Sequence, residues 1–197
     1  MLRLEALGHE VVHCPLIAVE PLGDEPIDVA GYDWVVVTSP NGARELLRRA
    51  RGSLPRLAAI GPATARALGG ADLIASVATQ EGLLAEFPRP AGRVLFAAAE
   101  GARTLLPEAL GADVVALYRT RELRPVSLPA ADLYVLASAS AARVLASLGP
   151  GLAVVSIGPE TSRAARAAGL DVVVEAREHS LEGLVAAVAC AASPPPS

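Results

Sequence analysis

Four short turns, one tyrosine and one arginine carry the residue types suited to chemistry. Thr38-Ser39-Pro40-Asn41 follows an apolar run and precedes an Arg/Leu-rich stretch, and Ser138-Ala139-Ser140 echoes it. A hydroxyl residue after a strand caps the next helix, while the other first-turn N–H groups stay turned to solvent. Such an end favours a carboxylate or a phosphate. Plain helix capping explains the same residues. The second turn is Ile60-Gly61-Pro62-Ala63-Thr64, echoed by Ile157-Gly158-Pro159-Glu160-Thr161. Glycine lets a backbone or ligand approach closely, proline fits the first helical turn, and Thr64 or Thr161 projects from it. Tyr118, in Leu117-Tyr118-Arg119-Thr120-Arg121, ends an apolar run. A tyrosine there has the chemistry to give a proton to a leaving group, or is a half-buried interface residue. Arg103, in Gly101-Ala102-Arg103-Thr104, opens a helical stretch, as an anion clamp or as a solvated surface arginine.

Composition removes other chemistries. All 17 basic residues are arginine, so no mechanism that needs a lysine amine is open: no P-loop lysine, no Schiff base. A net charge of −4 with scattered arginines argues against a nucleic-acid face. Cys14 and Cys190 are isolated thiols, and His9, His13 and His179 match no metal-ligand spacing, so no metal site is expected. There is no GxGxxG turn to support a dinucleotide. The apolar run Leu184 to Ala192 is far short of the ~20 residues that span a bilayer. Acidic Glu5 and Glu10 interrupt any signal-peptide core. The expectation is a soluble cytoplasmic protein, with no membrane partner.

The elements that must hold these turns occur twice. Asp33–Arg44 resembles Asp132–Arg143, Leu57–Arg66 resembles Val154–Arg163, Glu81–Leu84 resembles Glu182–Val185, and Leu4–Val12 resembles Pro107–Val115. The four blocks keep their order at a spacing of roughly 100 residues, which marks a duplication. Short apolar runs read as buried parallel strands: Trp34–Val37, Leu57–Ile60, Val94–Phe96, Val114–Leu117, Leu133–Leu136, Val154–Ile157 and Val172–Val174. Helical patterns lie between them at Gly42–Ala50, Ala63–Leu68, Thr104–Leu110, Ala141–Leu148, Thr161–Ala168 and Leu181–Ala192. Gly8, Gly69, Gly111, Gly149 and Gly169 stand where helix C-caps belong. This alternation predicts an α/β fold with parallel sheets and helices on both faces, and ligands then bind at the carboxyl ends of the strands. The second copy opens with the strand Arg93–Phe96, whereas the first begins inside the matching helix. The repeat therefore demands about ten to fifteen residues ahead of Met1, whose absence would leave an edge-like gap in that core.

In order along residues 4–188, a strand ending Thr-Ser-Pro-Asn is followed by Ile-Gly-Pro-x-Thr-Ala, then a Gly-x-Arg-x-x-Leu helix. A Val-x-x-Tyr-Arg-Thr strand and a second Ile-Gly-Pro-x-Thr come next. This ordered set resembles the uroporphyrinogen-III synthase family. The resemblance implies two similar three-layer, flavodoxin-like α/β domains, interleaved and joined by a two-stranded antiparallel linker near Leu16–Glu20 and Leu117–Arg121. Residues 1–19 with 120–192 would form the first domain, 20–119 the second, and 193–197 a frayed tail. It implies cyclisation of hydroxymethylbilane with inversion of ring D, through a spiro intermediate, by a monomer without cofactor. Tyr118 would assist departure of the hydroxyl. Thr38, Ser39, Asn41, Thr64, Ser138, Ser140 and Thr161 would line an interdomain cleft and, with Arg103 as a clamp, bind the carboxylates and pyrroles of the substrate. The chain departs from the family where its first strand would end in Thr-Arg. It departs again at Ala137-Ser138-Ala139-Ser140, where Thr-Ser-Pro-Ser is usual. A non-enzymatic two-domain anion-binding or sensor module and a truncated inactive paralogue are the competing readings.

Overall fold

A computed structural model of the chain describes residues 2–192, so the expected tail 193–197 lies outside the described residues. Contacts divide the chain into two compact units. One takes the chain up to Ala18 and resumes at Arg121; the other is Val19–Thr120.

The Val19–Thr120 unit is built on a sheet ordered β1-β8-β7-β3-β5-β6. Its strands are β1 (Ile17–Pro21), β3 (Trp34–Val37), β5 (Arg56–Ala59), β6 (Leu73–Ile74), β7 (Val94–Ala99) and β8 (Asp113–Glu122). A two-residue pair, β2 (Ile27–Asp28) with β4 (Ala50–Arg51), stands apart. From β3 to β8 the pairings are parallel. The last pair is different: Leu22 N–H donates to Leu117 O, and Leu123 N–H to Leu16 O, so β1 and β8 run antiparallel.

Burial of all four β3 residues explains why this strand is an uninterrupted apolar run. Alternate residues face opposite ways. Val35, Val37, Leu95 and Ala97 pack against α2 (Pro40–Arg49) and α3 (Pro62–Leu68) through Ala43, Leu46, Ala65 and Leu68. Val36, Val94 and Phe96 pack the other way, against Leu83 of α4 (Gln80–Glu86) and Leu106 of α5 (Leu105–Leu110). The result is three layers. Each fully buried Val or Phe contributes about 1.5–3 kcal/mol to holding them together. Arg49, buried at the end of α2, donates to Leu22 O and Glu25 O at 2.9 Å each and so ties α2 to the turn after β1.

The chain winds from β3 outward to β5 and β6, then crosses to the other side of β3 to lay down β7 and β8. The winding direction reverses between β3 and β7, which is the place a doubly wound sheet opens a crevice at its carboxyl edge.

The second unit has a three-stranded parallel sheet, β11 (Asp171–Glu175), β10 (Ala153–Ser156) and β9 (Tyr134–Leu136). One face packs on α6 (Ala139–Leu148) and α7 (Pro159–Ala167). The other packs on α8 (Leu181–Ala192) and on Leu4 of the short α1 (Leu2–Glu5). By the repeat, β9 corresponds to β3. β9 pairs with β10 on one side, but on the side where β3 has β7 it has no strand neighbour among the described residues. A groove of about 1250 Å³, lined by Leu4, Val12, Leu16, Tyr134, Leu184 and Val188 among others, runs there instead.

Gly69 and Gly111 cap their helices in the left-handed conformation, at φ 81° and 58°. Gly149 caps α6 in an extended conformation, φ −178°, so its lack of a side chain is not required by the backbone there.

Candidate active site

The two hydroxyl turns share one cap geometry. Ser39 caps α2 at φ −158°, ψ 152°, and its Oγ accepts from Gly42 N–H at 3.0 Å. Ser138 caps α6 at φ −158°, ψ 151°, and its Oγ accepts from Ala141 N–H at 3.2 Å. Both therefore do the capping work. Asn41 and Ser140, in the first helical turns, accept from Arg44 (2.8 Å) and Arg143 (3.2 Å). Thr38 is half-buried at the carboxyl end of β3.

At the Gly-Pro turns the caps are Gly61 and Gly158, with no side-chain cap bond, so the first-turn amides of α3 and α7 are not closed off by their own caps. Thr64 and Thr161 are buried in those turns. Behind α7, Ser162 meets Ser156 of β10 in a buried 2.6 Å hydrogen bond; the equivalent residues of the other copy are Ala65 and Ala59. His179, given no role by its sequence spacing, lies against Gly158. A Cβ added to Gly158 would come within 2.5 Å of the imidazole Nε2. Its counterpart near Gly61 is Ala78, so no repeat signal could have found it.

Tyr118 is placed by a break in register. Along β7 and β8, Ala98 pairs with Ala116 but Ala99 pairs with Tyr118, leaving Leu117 as an extra residue. Such a bulge puts two consecutive side chains on one face. Leu117 and Tyr118 both join the cluster that packs against α2 and α3. The phenol is thereby aimed at the start of α2, where its oxygen lies 2.8 Å from Ser39 Oγ. Tyr118 is 6% exposed, and its carbonyl accepts from Glu100 N–H at 2.8 Å, in the loop that follows β7.

Arg103 stands on the same loop, on the α4 side, where its carbonyl accepts from Gln80 Nε2 at 3.2 Å. Its guanidinium forks onto Glu81, with NH2 at 2.5 Å from Oε1 and NH1 at 3.4 Å from Oε2. Both side chains are more than half exposed, so the pair is a screened surface contact. The helix itself starts at Leu105, with Thr104 capping by backbone alone.

One unit thus carries Thr38 and Ser39 just after β3, Asn41 and Thr64 in the first turns of α2 and α3, Arg103 in the loop after β7 and Tyr118 within β8, with Ser39 and Tyr118 in direct contact. Ser138, Ser140 and Thr161 occupy the matching turns of the other unit. Among the described residues no group of His, Cys, Asp and Glu is arranged to hold a metal ion. No described helix is long and apolar enough to cross a membrane.

Comparison with known proteins adds three findings. The family model described as uroporphyrinogen-III synthase HemD matches residues 2–186. A uroporphyrinogen-III synthase of Synechococcus elongatus is 29% identical over 94% of this chain and 88% of its own length. Two solved structures share the fold at 18% identity. The uroporphyrinogen-III synthetase of Helicobacter pylori matches with a TM-score of 0.63 over 89% of this chain and 90% of that one. A mutant uroporphyrinogen III synthase of Thermus thermophilus matches with a TM-score of 0.65 over 96% and 92%.

Proposed function

The chain belongs to the uroporphyrinogen-III synthase HemD family, and from that premise we propose how its residues carry the reaction. The activity is that of the family, cyclisation of hydroxymethylbilane, a lyase-type reaction of tetrapyrrole and heme biosynthesis. In our reading the ring closes with inversion of ring D, through a spiro intermediate, and releases water.

Tyr118 assists the first step. Breaking the C–O bond of the hydroxymethyl group leaves the bonding pair on oxygen. A proton from the phenol turns that leaving group into water, while the pyrrole left behind takes up the positive charge. Closing the ring later frees one proton from the attacking carbon, which restores the phenol. The observation that carries this reading is the bulge in β8, which aims a nearly buried phenol at the carboxyl end of β3, beside the switch point. Most of the remaining catalysis is orientation of a flexible chain.

Thr38, Asn41, Thr64, Ser138, Ser140 and Thr161 are our proposed contacts to the carboxylates and pyrroles. Support comes from their places in the first turns of helices, or just before them, where amides and hydroxyls meet anions well. Arg103 joins them as a clamp when it exchanges Glu81 for a substrate carboxylate. We further propose a monomeric, cytoplasmic enzyme, which sedimentation and cell fractionation test.

The decisive assay incubates the protein with hydroxymethylbilane and separates the type I and type III products. Type III product faster than the spontaneous rate supports the reading; type I alone at the spontaneous rate overturns it. Tyr118→Phe should slow turnover by about a hundredfold, the low end for a general acid. An unchanged rate removes Tyr118 from that role.

A further inference from the structure

We infer that Ser39 is the positioning residue of Tyr118, and that its hydroxyl donates to the phenol oxygen once the phenol has given up its proton. The inference rests on the reading of Tyr118 above and changes what Ser39 is for: it acts on the reaction through Tyr118 rather than as a ligand of the substrate.

The hydrogen-bond inventory of Ser39 leads there. A serine hydroxyl has one proton and two lone pairs. One lone pair accepts from Gly42 N–H at 3.0 Å, and the phenol oxygen of Tyr118 stands at 2.8 Å to meet either the proton or the second lone pair. With Tyr118 neutral, either oxygen can be the donor. When the phenol proton passes to the departing hydroxyl, the phenol oxygen carries negative charge and needs a donor. Ser39, at hydrogen-bond distance, is already polarised by the Gly42 amide and by the start of the ten-residue α2. Its O–H turns toward the phenolate, and no proton leaves Ser39. The donor is in place before charge develops, so little reorganisation is needed when it does.

Local packing keeps the pair together. The bulge at Leu117 turns the ring toward α2. Gly42, whose added Cβ would lie 3.1 Å from Ser39 Oγ and 3.4 Å from Val37 Cγ1, leaves just enough room for the serine oxygen to reach both partners.

The test is a kinetic cycle on the full chain with Ser39→Ala, Tyr118→Phe and the double variant, joined by Ser39→Asp and Ser39→Thr. Ser39→Ala should lower kcat about ten- to a hundredfold, the worth of a hydrogen bond to a charged group, with KM within about twofold. Added to Tyr118→Phe, it should change kcat by less than about twofold, because both changes remove one device. Aspartate caps a helix as well as serine but has no proton to give, so Ser39→Asp should keep the thermal stability of the parent and still be as slow as Ser39→Ala. Threonine restores both cap and donor and should recover most of the loss. A raised KM with unchanged kcat in Ser39→Ala, equal losses in the two backgrounds, or an active Ser39→Asp each overturns the inference. An unchanged rate in Tyr118→Phe overturns the reading of Tyr118 itself. A slow Tyr118→Phe with an additive Ser39 loss leaves that reading standing and removes only this one.

Discussion

Replacing Gly82 by alanine sets two rules against each other. Gly82 lies in the first turns of α4, and helix propensity alone says alanine there stabilises by about 1 kcal/mol. The structure says the reverse. Just before α4, Thr79 N–H bonds back to Val77 O at 2.7 Å, and this tight turn folds the Val77 carbonyl over Gly82. A Cβ on Gly82 would breach the 3.0 Å limit against that oxygen and reach 3.1 Å from its carbon. The obstacle is backbone, so it cannot step aside as a side chain would. Overpacking of this kind costs about 1–3 kcal/mol. It also pushes apart the cap bond from Gly82 N–H to Thr79 Oγ1, now 3.0 Å, for about 1 kcal/mol more. Subtracting the propensity gain leaves a net loss of about 1–3 kcal/mol, a melting point lower by roughly 5–20 °C in a unit of this size. Gly183 repeats the arrangement against Glu178 O, with its cap bond to Ser180 Oγ at 3.0 Å. Gly183→Ala should cost the other unit a similar amount. Urea unfolding followed by far-ultraviolet circular dichroism reads both. Gly149→Ala is the control. Its backbone is extended, the nearest atom to a new Cβ is 3.6 Å away, and it should be neutral or slightly stabilising. A Gly82→Ala protein more stable than the parent would refute the steric reasoning.

Two further expectations concern polar pairs. Ser156→Ala or Ser162→Ala alone strands a buried hydroxyl and should lower stability by about 1–3 kcal/mol. The double change should be nearly neutral, since it installs the alanines found at positions 59 and 65; equal losses in single and double variants would argue against this. Asp113 takes hydrogen bonds from Tyr32 (2.8 Å) and Arg93 (3.0 Å), which hold its carboxyl below the usual carboxylate range, the Tyr32 bond first. A lowered value in the folded state adds stability above the unfolded value near 3.8 and loses it as pH falls through the folded one. The gap in urea midpoint between the parent and Asp113→Asn should therefore be level near neutrality and close as pH falls below about 4; a gap that widens in acid contradicts the assignment.

What could be read beforehand depended on whether the signal was local. Trp34–Val37 and Leu181–Ala192 are legible to the residue, because a strand buried on both faces is a continuous apolar run and a twelve-residue stretch rich in leucine and alanine favours helix. The two-residue strands β2, β4 and β6 carry no such run and went unread. Helix α4 was visible only as a repeated Glu-Gly-Leu-Leu block. At the site, the turns were legible as turns, since Ser39 and Ser138 cap the helices right beside them. The partnerships were not. Simple alternation puts Tyr118 on the face opposite Leu117, and only the bulge, set by pairing with a distant strand, brings it to Ser39 across 79 residues of chain. For Arg103 the sequence leaves clamp and surface arginine both open, because its fork on Glu81 depends on how α4 sits beside the loop after β7.

The discontinuous unit carries a consequence for synthesis. Leu4 packs in the cluster of Leu184 and Val188, and Leu16 in that of Leu136 and Leu145, yet all of Val19–Thr120 emerges in between. At roughly 5–20 residues per second, about 100 intervening residues mean a wait of about 5–20 s before the first of these partners exists. During that interval the inserted unit has all of its sheet within its own sequence except the first two residues of β1 and the last two of β8, and is free to fold. Leu16 gains its partners as residues 136–170 emerge, and Leu4 waits until the ribosome has passed residue 188. Arg3, Glu5 and Glu10, spaced among its leucines and valines, keep this opening stretch charged through that wait.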